Sequence, residues 1–331
     1  MKPLLTSDNH PLSSATLSSG GVSPFPAING GTQGPPPDEV LQLIEQSLSA
    51  NTRRAYLSDL AHFEAWGGAI PAKPATLATY LADHADRLRI ATLVRRVTAI
   101  GKAHEARGLP NPVRSELVRA TLRGIRRTRG TPQRGARPLL KEDLGLIVDA
   151  LDTTLRGRRD RALLLVGFAG GFRRSELVGL DRADIAPVRE GLVVTLRRSK
   201  TDQAGHGRTI GIPFGRTRWC PVTGLEAWLS SSGIESGPLF RPINRHGHVA
   251  SGRLSGEAVS IIVRERAAAA GLDRRGYSGH SLRAGLATSA ARAGVPSWKI
   301  RTQTGHASDA MLARYVRSGE LFIDNAVSAL L

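Results

Sequence analysis

A small set of side chains in the C-terminal half of this sequence has the types and spacings to act on a phosphate. In "GGFRRSELVGL" a Gly-Gly pair ends one helix and Arg173 falls at or near the start of the next. Free N–H groups and a partial positive charge make a helix N-terminus a place for an anion. Glu176, one turn on, can orient the guanidinium; the plainer reading is a surface Arg paired with a Glu. In "GYSGHSLRAGLATSAARAG", His280 and Arg283 are three apart and share a helical face. They can grip one phosphate together, and the His can move a proton near neutral pH. The alternative is a capping His and a solvated Arg. Lys200, in "RRSKTDQ", can donate a proton to a leaving oxygen from a turn, or simply be an exposed turn residue. His306 is a donor just ahead of "ASDAMLARYVR", where Met311, Leu312, Tyr315 and Val316 keep helical spacing and Ser308 can cap. Tyr315 is therefore a core aromatic or a nucleophile. Tyr277, in a loop near His280, is its only rival, because Tyr56 and Tyr80 lie on apolar stripes.

The elements that must position these groups are mostly helical. Residues 1–37 hold few large apolar residues and read as a disordered tail. Residues 38–128 read as helices throughout: "DEVLQLIEQSL", then "TRRAYLSDLAHFEAWG" capped by Asn51, then "PATLATYLADHADRL", "ATLVRRVTAIGKAHEARG" and "VRSELVRATLRGIRRTR". Their exposed faces are basic, suited to a DNA groove or backbone. Residues 129–137 read as a linker. From 138 the pattern is mixed. "KEDLGLIVDAL", "RDRALLLVGFAGG" and "SELVGL" are helical, and "GLVVTLRRSK" and "GRTIGIPF" form a β-hairpin with Lys200 at its tip. Helices resume at "TGLEAWL". Leu282, Leu286 and Ala290 mark the buried stripe of the His280–Arg283 helix. The fold expected is mainly α with a small β-sheet: an all-helical N-terminal domain and an α+β second domain, 138–331.

Composition narrows the partners. The chain has 331 residues and a formal net charge of +18, and Arg accounts for most of its basic residues. Residues 1–52 hold one Lys and four acidic residues, so the excess sits on the folded part. Such a surplus suits a polyanion, and Arg grips phosphate bidentately. The single cysteine, Cys220, excludes a disulfide framework and a Cys-rich zinc site, and fits a reducing cytosol. No apolar run is long enough to span a membrane, and the N-terminus lacks a secretion signal. No Asp/Glu/His cluster has metal-ligand spacing, and His246 and His248 read as loop residues. No cofactor is expected.

Taken in order, Arg173 with Glu176, Lys200, His280-x-x-Arg283, Gly305-His306 and Tyr315 resemble the signature of the tyrosine recombinase (phage integrase) family. One branch of the family has a Trp where His306 stands. The resemblance covers about 138–331 strongly and 38–128, similar to a core-binding domain, more loosely. It implies metal-free DNA cleavage in which Tyr315 attacks the scissile phosphate to form a 3′-phosphotyrosyl link. A phenol with a pKa of about 10 needs a base, and His280 is the candidate. Arg173, Arg283 and His306 would stabilise the phosphorane and Lys200 would protonate the 5′ oxygen. It further implies double-stranded DNA as partner, a homo-tetramer on DNA with a helper or sister recombinase as a further partner class, and a cytoplasmic, nucleoid-associated place. The apolar segment 320–331 would dock on a neighbouring protomer. The alternatives are a type IB topoisomerase-like enzyme and a catalytically silent DNA-binding relative.

Overall fold

A computed structural model describes residues 48–130, 136–197 and 207–319. The tail 1–37, most of the first expected helix, the centre of the linker, the hairpin tip with Lys200 and the segment 320–331 lie outside the described residues. The chain divides into two compact units, Met1–Gln133 and Arg134–Leu331.

In the first unit, helices α1 (Ala50–Ala65), α2 (Pro74–His84), α3 (Ile90–Ala106) and α4 (Glu116–Arg129) surround one apolar core. Each contributes side chains at helical spacing: Phe63; Leu77, Tyr80 and Leu81; Leu93, Val97 and Ile100; Val118, Leu122 and Ile125. The cap of α1 is Ser49, whose Oγ accepts from the Thr52 N–H, and not Asn51. The helix starts one residue before Asn51, which instead accepts from Arg54. Asp59 is buried among these helices. Asp59 is held bidentately by Arg95 at 2.7 and 2.8 Å, with Arg96 Nε 3.5 Å away. Such pairing is what makes a buried carboxylate tolerable. The other face of α4 exposes Arg119, Arg123, Arg126, Arg127 and Arg129.

In the second unit, α5 (Lys141–Asp149) precedes α6 (Leu155–Ala169), which is central: Ala162 through Val166 are all buried. The short α7 (Arg174–Gly179) leads into a three-stranded antiparallel sheet ordered β1 (Ile185–Val188), β2 (Gly191–Leu196), β3 (Arg208–Pro213). The hairpin of β2 and β3 pairs Gly191 with Pro213 and Leu196 with Arg208. The strand β1 extends the sequence reading, which found only the hairpin. β1 is four residues long with one buried position, too little alternation to register as a pattern. Helices α8 (Pro221–Ser232), α9 (Gly256–Ala269), α10 (Ser281–Arg292), α11 (Ser297–Thr304) and α12 (Asp309–Gly319) follow. The mainly α fold with a small sheet is thus as the sequence implied.

Two apolar clusters divide this unit. The larger joins α5, α6, α8, α9 and the sheet. The smaller consists of Ala284, Ala287, Ala291, Ile300, Leu312 and Tyr315, contributed by α10, α11 and α12. The helix α10 lies between the two clusters, so it is buried nearly all round. Leu286 and Ala290 are only half-buried, while Ala284, Ala287 and Ala291 are fully buried, a correction to the expected stripe. Among the described residues no helix is long and apolar enough to cross a membrane.

Candidate active site

The site is built around the C-terminal end of α11. A helix ends with carbonyls that lack intrahelical partners and carry partial negative charge. Three arginines from three other elements take them up. Arg283, on α10, donates from Nη1 to Thr304 O and, at 2.9 Å, to Gly171 O. Arg173 Nη2 donates to Gly305 O at 3.1 Å. Arg208, at the start of β3, donates from Nη1 to Thr302 O at 3.2 Å and Gln303 O at 3.1 Å. Gly305 caps the helix in the left-handed region, φ 64°, where its N–H donates to Arg301 O. A Cβ there would lie 2.6 Å from Arg208 Cζ, so glycine is needed for space as well as for φ.

Arg173 is the N-cap of α7, as its place after the Gly-Gly pair implied. The Glu176 carboxylate accepts from its backbone N–H at 2.9 Å and from its Nη1, so it holds Arg173 at both the main chain and the guanidinium. Arg208 Nη2 lies 3.6 Å from the same carboxylate. Glu176 is thus the carboxylate shared by two guanidinium groups, and positive charge is left over for an anion. Burial, followed by the nearness of Arg173, lowers the Arg283 pKa to about 10, which leaves it charged at neutral pH.

Tyr315 is 8% exposed, with its ring in the smaller apolar cluster. Its hydroxyl reaches out of that cluster to His280 Nε2 at 2.7 Å. The ring thus packs as a core aromatic while the hydroxyl faces a histidine. His280 stands at the N-cap of α10 without a side-chain capping bond. His306 is 7% exposed, with its ring centroid 5.7 Å from that of Tyr315. Burial, then Arg283, Arg173, His280 and Arg208, push its pKa down to about 3.

Tyr277 is placed apart. Its hydroxyl donates to Asp143 Oδ2 at 3.0 Å, its ring lies under Arg137, and burial first, then Asp143, raises its pKa to about 12. His246 and His248 sit on a turn, where both backbone N–H groups donate to Asn244 Oδ1. Among the described residues no group of three or more His, Cys, Asp or Glu is placed to hold a metal.

The structure therefore brings Arg173, Glu176, His280, Arg283, His306 and Tyr315 together. Lys200 lies outside the described residues. Arg208 and Thr304 were missed by sequence reasoning. Arg208 had a signal: in "RTIGIP" it alternates in step with Ile210 and Ile212, so it shares their inward face. A charged residue in register with a buried apolar row needs a partner.

Comparison with known proteins places these features in a family. The phage integrase family model matches residues 137–320. An integrase/recombinase XerD homolog of Selenomonas ruminantium is 42% identical over 295 residues, covering 86% of each chain. The recombinase Cre of Escherichia phage P1 is 26% identical over 298 residues, covering 82% of this chain and 85% of its own. A solved structure of a lambda integrase tetramer bound to a Holliday junction shares the fold, with a TM-score of 0.59 at 17% identity over 87% of this chain and 78% of that one.

The lowered His306 pKa sets a pH dependence of stability. Between pH 6.5 and about 3 the unfolded chain binds a proton at this ring and the folded chain does not. The stabilisation is complete above pH 6.5 and is lost progressively as the pH falls toward 3. Denaturant midpoints measured across this window should fall more steeply for the wild type than for His306→Asn. Parallel curves would contradict the assignment.

Proposed function

This chain belongs to the phage integrase family of tyrosine recombinases, and we propose that Tyr315 is the nucleophile with which it cuts DNA. The enzyme is a site-specific recombinase that cleaves and rejoins DNA strands. The observation that carries the assignment is the 2.7 Å approach of the Tyr315 hydroxyl to His280 Nε2, with the Arg283 guanidinium near enough to interact electrostatically with the phenol. His280 removes the phenolic proton as the oxygen attacks phosphorus. A 3′-phosphotyrosyl bond forms as the bond from phosphorus to the 5′ oxygen breaks. Arg173, Arg283 and His306 bind the non-bridging oxygens, and Glu176 holds Arg173 in place. Loss of one such preorganised donor typically costs about 3–4 kcal/mol in the transition state. Lys200 supplies the proton to the departing 5′ oxygen. The link keeps the phosphate activated as an ester, so a 5′-hydroxyl from another duplex reverses the step and joins new strands.

The first unit holds the duplex through the arginine face of α4, and phosphate contacts of this kind position without specifying sequence. Four protomers assemble on two duplexes, as the tetrameric state of the lambda integrase structure suggests by analogy, and the segment 320–331 bridges neighbours. The protein works on the chromosome, in the cytoplasm. A helper or sister recombinase is compatible with this arrangement.

Three measurements test the reading. On a nicked suicide duplex carrying the recombination site, Tyr315→Phe binds but forms no covalent adduct, while Tyr277→Phe still forms it. The wild-type adduct persists in EDTA. An adduct from Tyr315→Phe would overturn the nucleophile assignment. For Lys200, the Ala variant should regain cleavage on a substrate with sulfur at the 5′ bridging position, because a thiolate leaves without a proton. Equal loss on both substrates argues against a general acid. Deletion of 320–331 should leave one-site binding intact and abolish two-site synapses on native gels; synapses that persist would show that the segment does not bridge protomers.

A further inference from the structure

His306 and its neighbour Thr304 carry more than the family assignment states. Thr304 is the last residue of α11 and is fully buried. Its Oγ1 lies 2.6 Å from Ile300 O and 2.7 Å from His306 Nδ1. A hydroxyl has one proton, and a carbonyl oxygen only accepts. If the Thr304 proton turned to the ring, two oxygen lone pairs would face each other at 2.6 Å. The proton therefore goes to Ile300 O, and the short contact to the ring requires His306 Nδ1 to be the donor. A neutral imidazole with its proton on Nδ1 has only a lone pair at Nε2.

A phosphate oxygen is also an acceptor, so a bare Nε2 repels it. We propose that Thr304 locks His306 in the Nδ1–H tautomer, so that His306 grips a bound phosphate only after taking up a solvent proton at Nε2. The step adds one proton to the imidazole and breaks no bond in the protein. It rests on the placing of His306 against the scissile phosphate made above. Burial first, and then four neighbouring cationic or ionisable groups, keep the ring neutral. Arg283 and His280 come from α10, Arg173 from the start of α7 and Arg208 from β3, and all four oppose a further positive charge. Glu176 faces the arginines, and Tyr315, from α12, packs beside the ring. An anion among these guanidinium groups cancels their field, and by accepting a charge-assisted hydrogen bond from Nε2 it offsets the cost of burying the charged ring. Thr304 is thus a positioning residue: it touches no substrate and decides which nitrogen of His306 is available.

The test reads the ring directly. Full-length protein labelled with 15N-histidine is examined by NMR at pH 7, with the His306 signals identified from their loss in His306→Asn. The free wild type should show a protonated Nδ1 and a bare Nε2. Added sulfate, a non-titrating stand-in for phosphate, should protonate Nε2, with uptake of about one proton per site. Thr304→Val should shift the free ring toward the Nε2–H form and remove the proton uptake, and Thr304→Ser should restore both. An Nε2–H ring in the free wild type, an unchanged ring in Thr304→Val, or sulfate bound without proton uptake would each overturn the proposal. If Thr304→Val does not fold, the wild-type spectra still decide it. The lock is read on the free protein, so failure of the nucleophile assignment would show in the adduct assay alone.

Discussion

The end of one short helix is the constraint on which the site depends. The carbonyls at the C-terminus of α11 would be unpaired and partly negative in a buried setting. Arg283, Arg208 and Arg173 come from α10, β3 and the start of α7 to satisfy them. The helix end thereby holds three like charges together that would otherwise repel. Glu176 offsets part of that charge, and the remainder selects for an anion. Fold stability and the proposed phosphate binding are linked by the same hydrogen bonds, because the groups that close the helix include the arginines assigned to the substrate.

The same arrangement separates two histidines into two roles. His280 stands at the start of α10, in contact with the Tyr315 hydroxyl. His306 follows the end of α11, buried against the arginines and tied to Thr304. One ring is placed to exchange a proton with the phenol. The other is kept neutral by burial and by the nearby arginines. Environment sets the difference, since the two side chains are chemically identical.

Tyr315, the proposed nucleophile, is fixed by its ring and leaves its hydroxyl to polar partners. Its ring belongs to a small apolar cluster with Ala284, Ala287, Ala291, Ile300 and Leu312. The alanines of α10 are small enough for α12 to pack closely, which sets the depth of the ring. Only the hydroxyl leaves this cluster. Packing therefore aims the phenol, and the polar groups around it act on an atom whose position is already decided.

The sequence by itself determined the helical character and the hairpin, and it singled out Arg173, Glu176, His280, Arg283, His306 and Tyr315, which the fold brings together. These depend on local spacing: the Gly-Gly pair before Arg173, the three-residue step from His280 to Arg283, and Gly305 ahead of the last helix. Local patterns misplaced the cap of α1, where Ser49 and Asn51 are both residues of capping type two positions apart, and the buried face of α10, which apolar clusters on two sides settled. The tertiary structure alone decided that Tyr315, and not Tyr277, faces a histidine. Tyr277 is nearer His280 in sequence but is turned to Asp143. The tertiary structure also recruited Arg208 and Thr304, whose roles depend on partners that lie across the fold or on a hydroxyl's single proton. Residue spacing records which groups share a helix face. It does not record which distant carbonyls those groups will meet, and here those carbonyls organise the site.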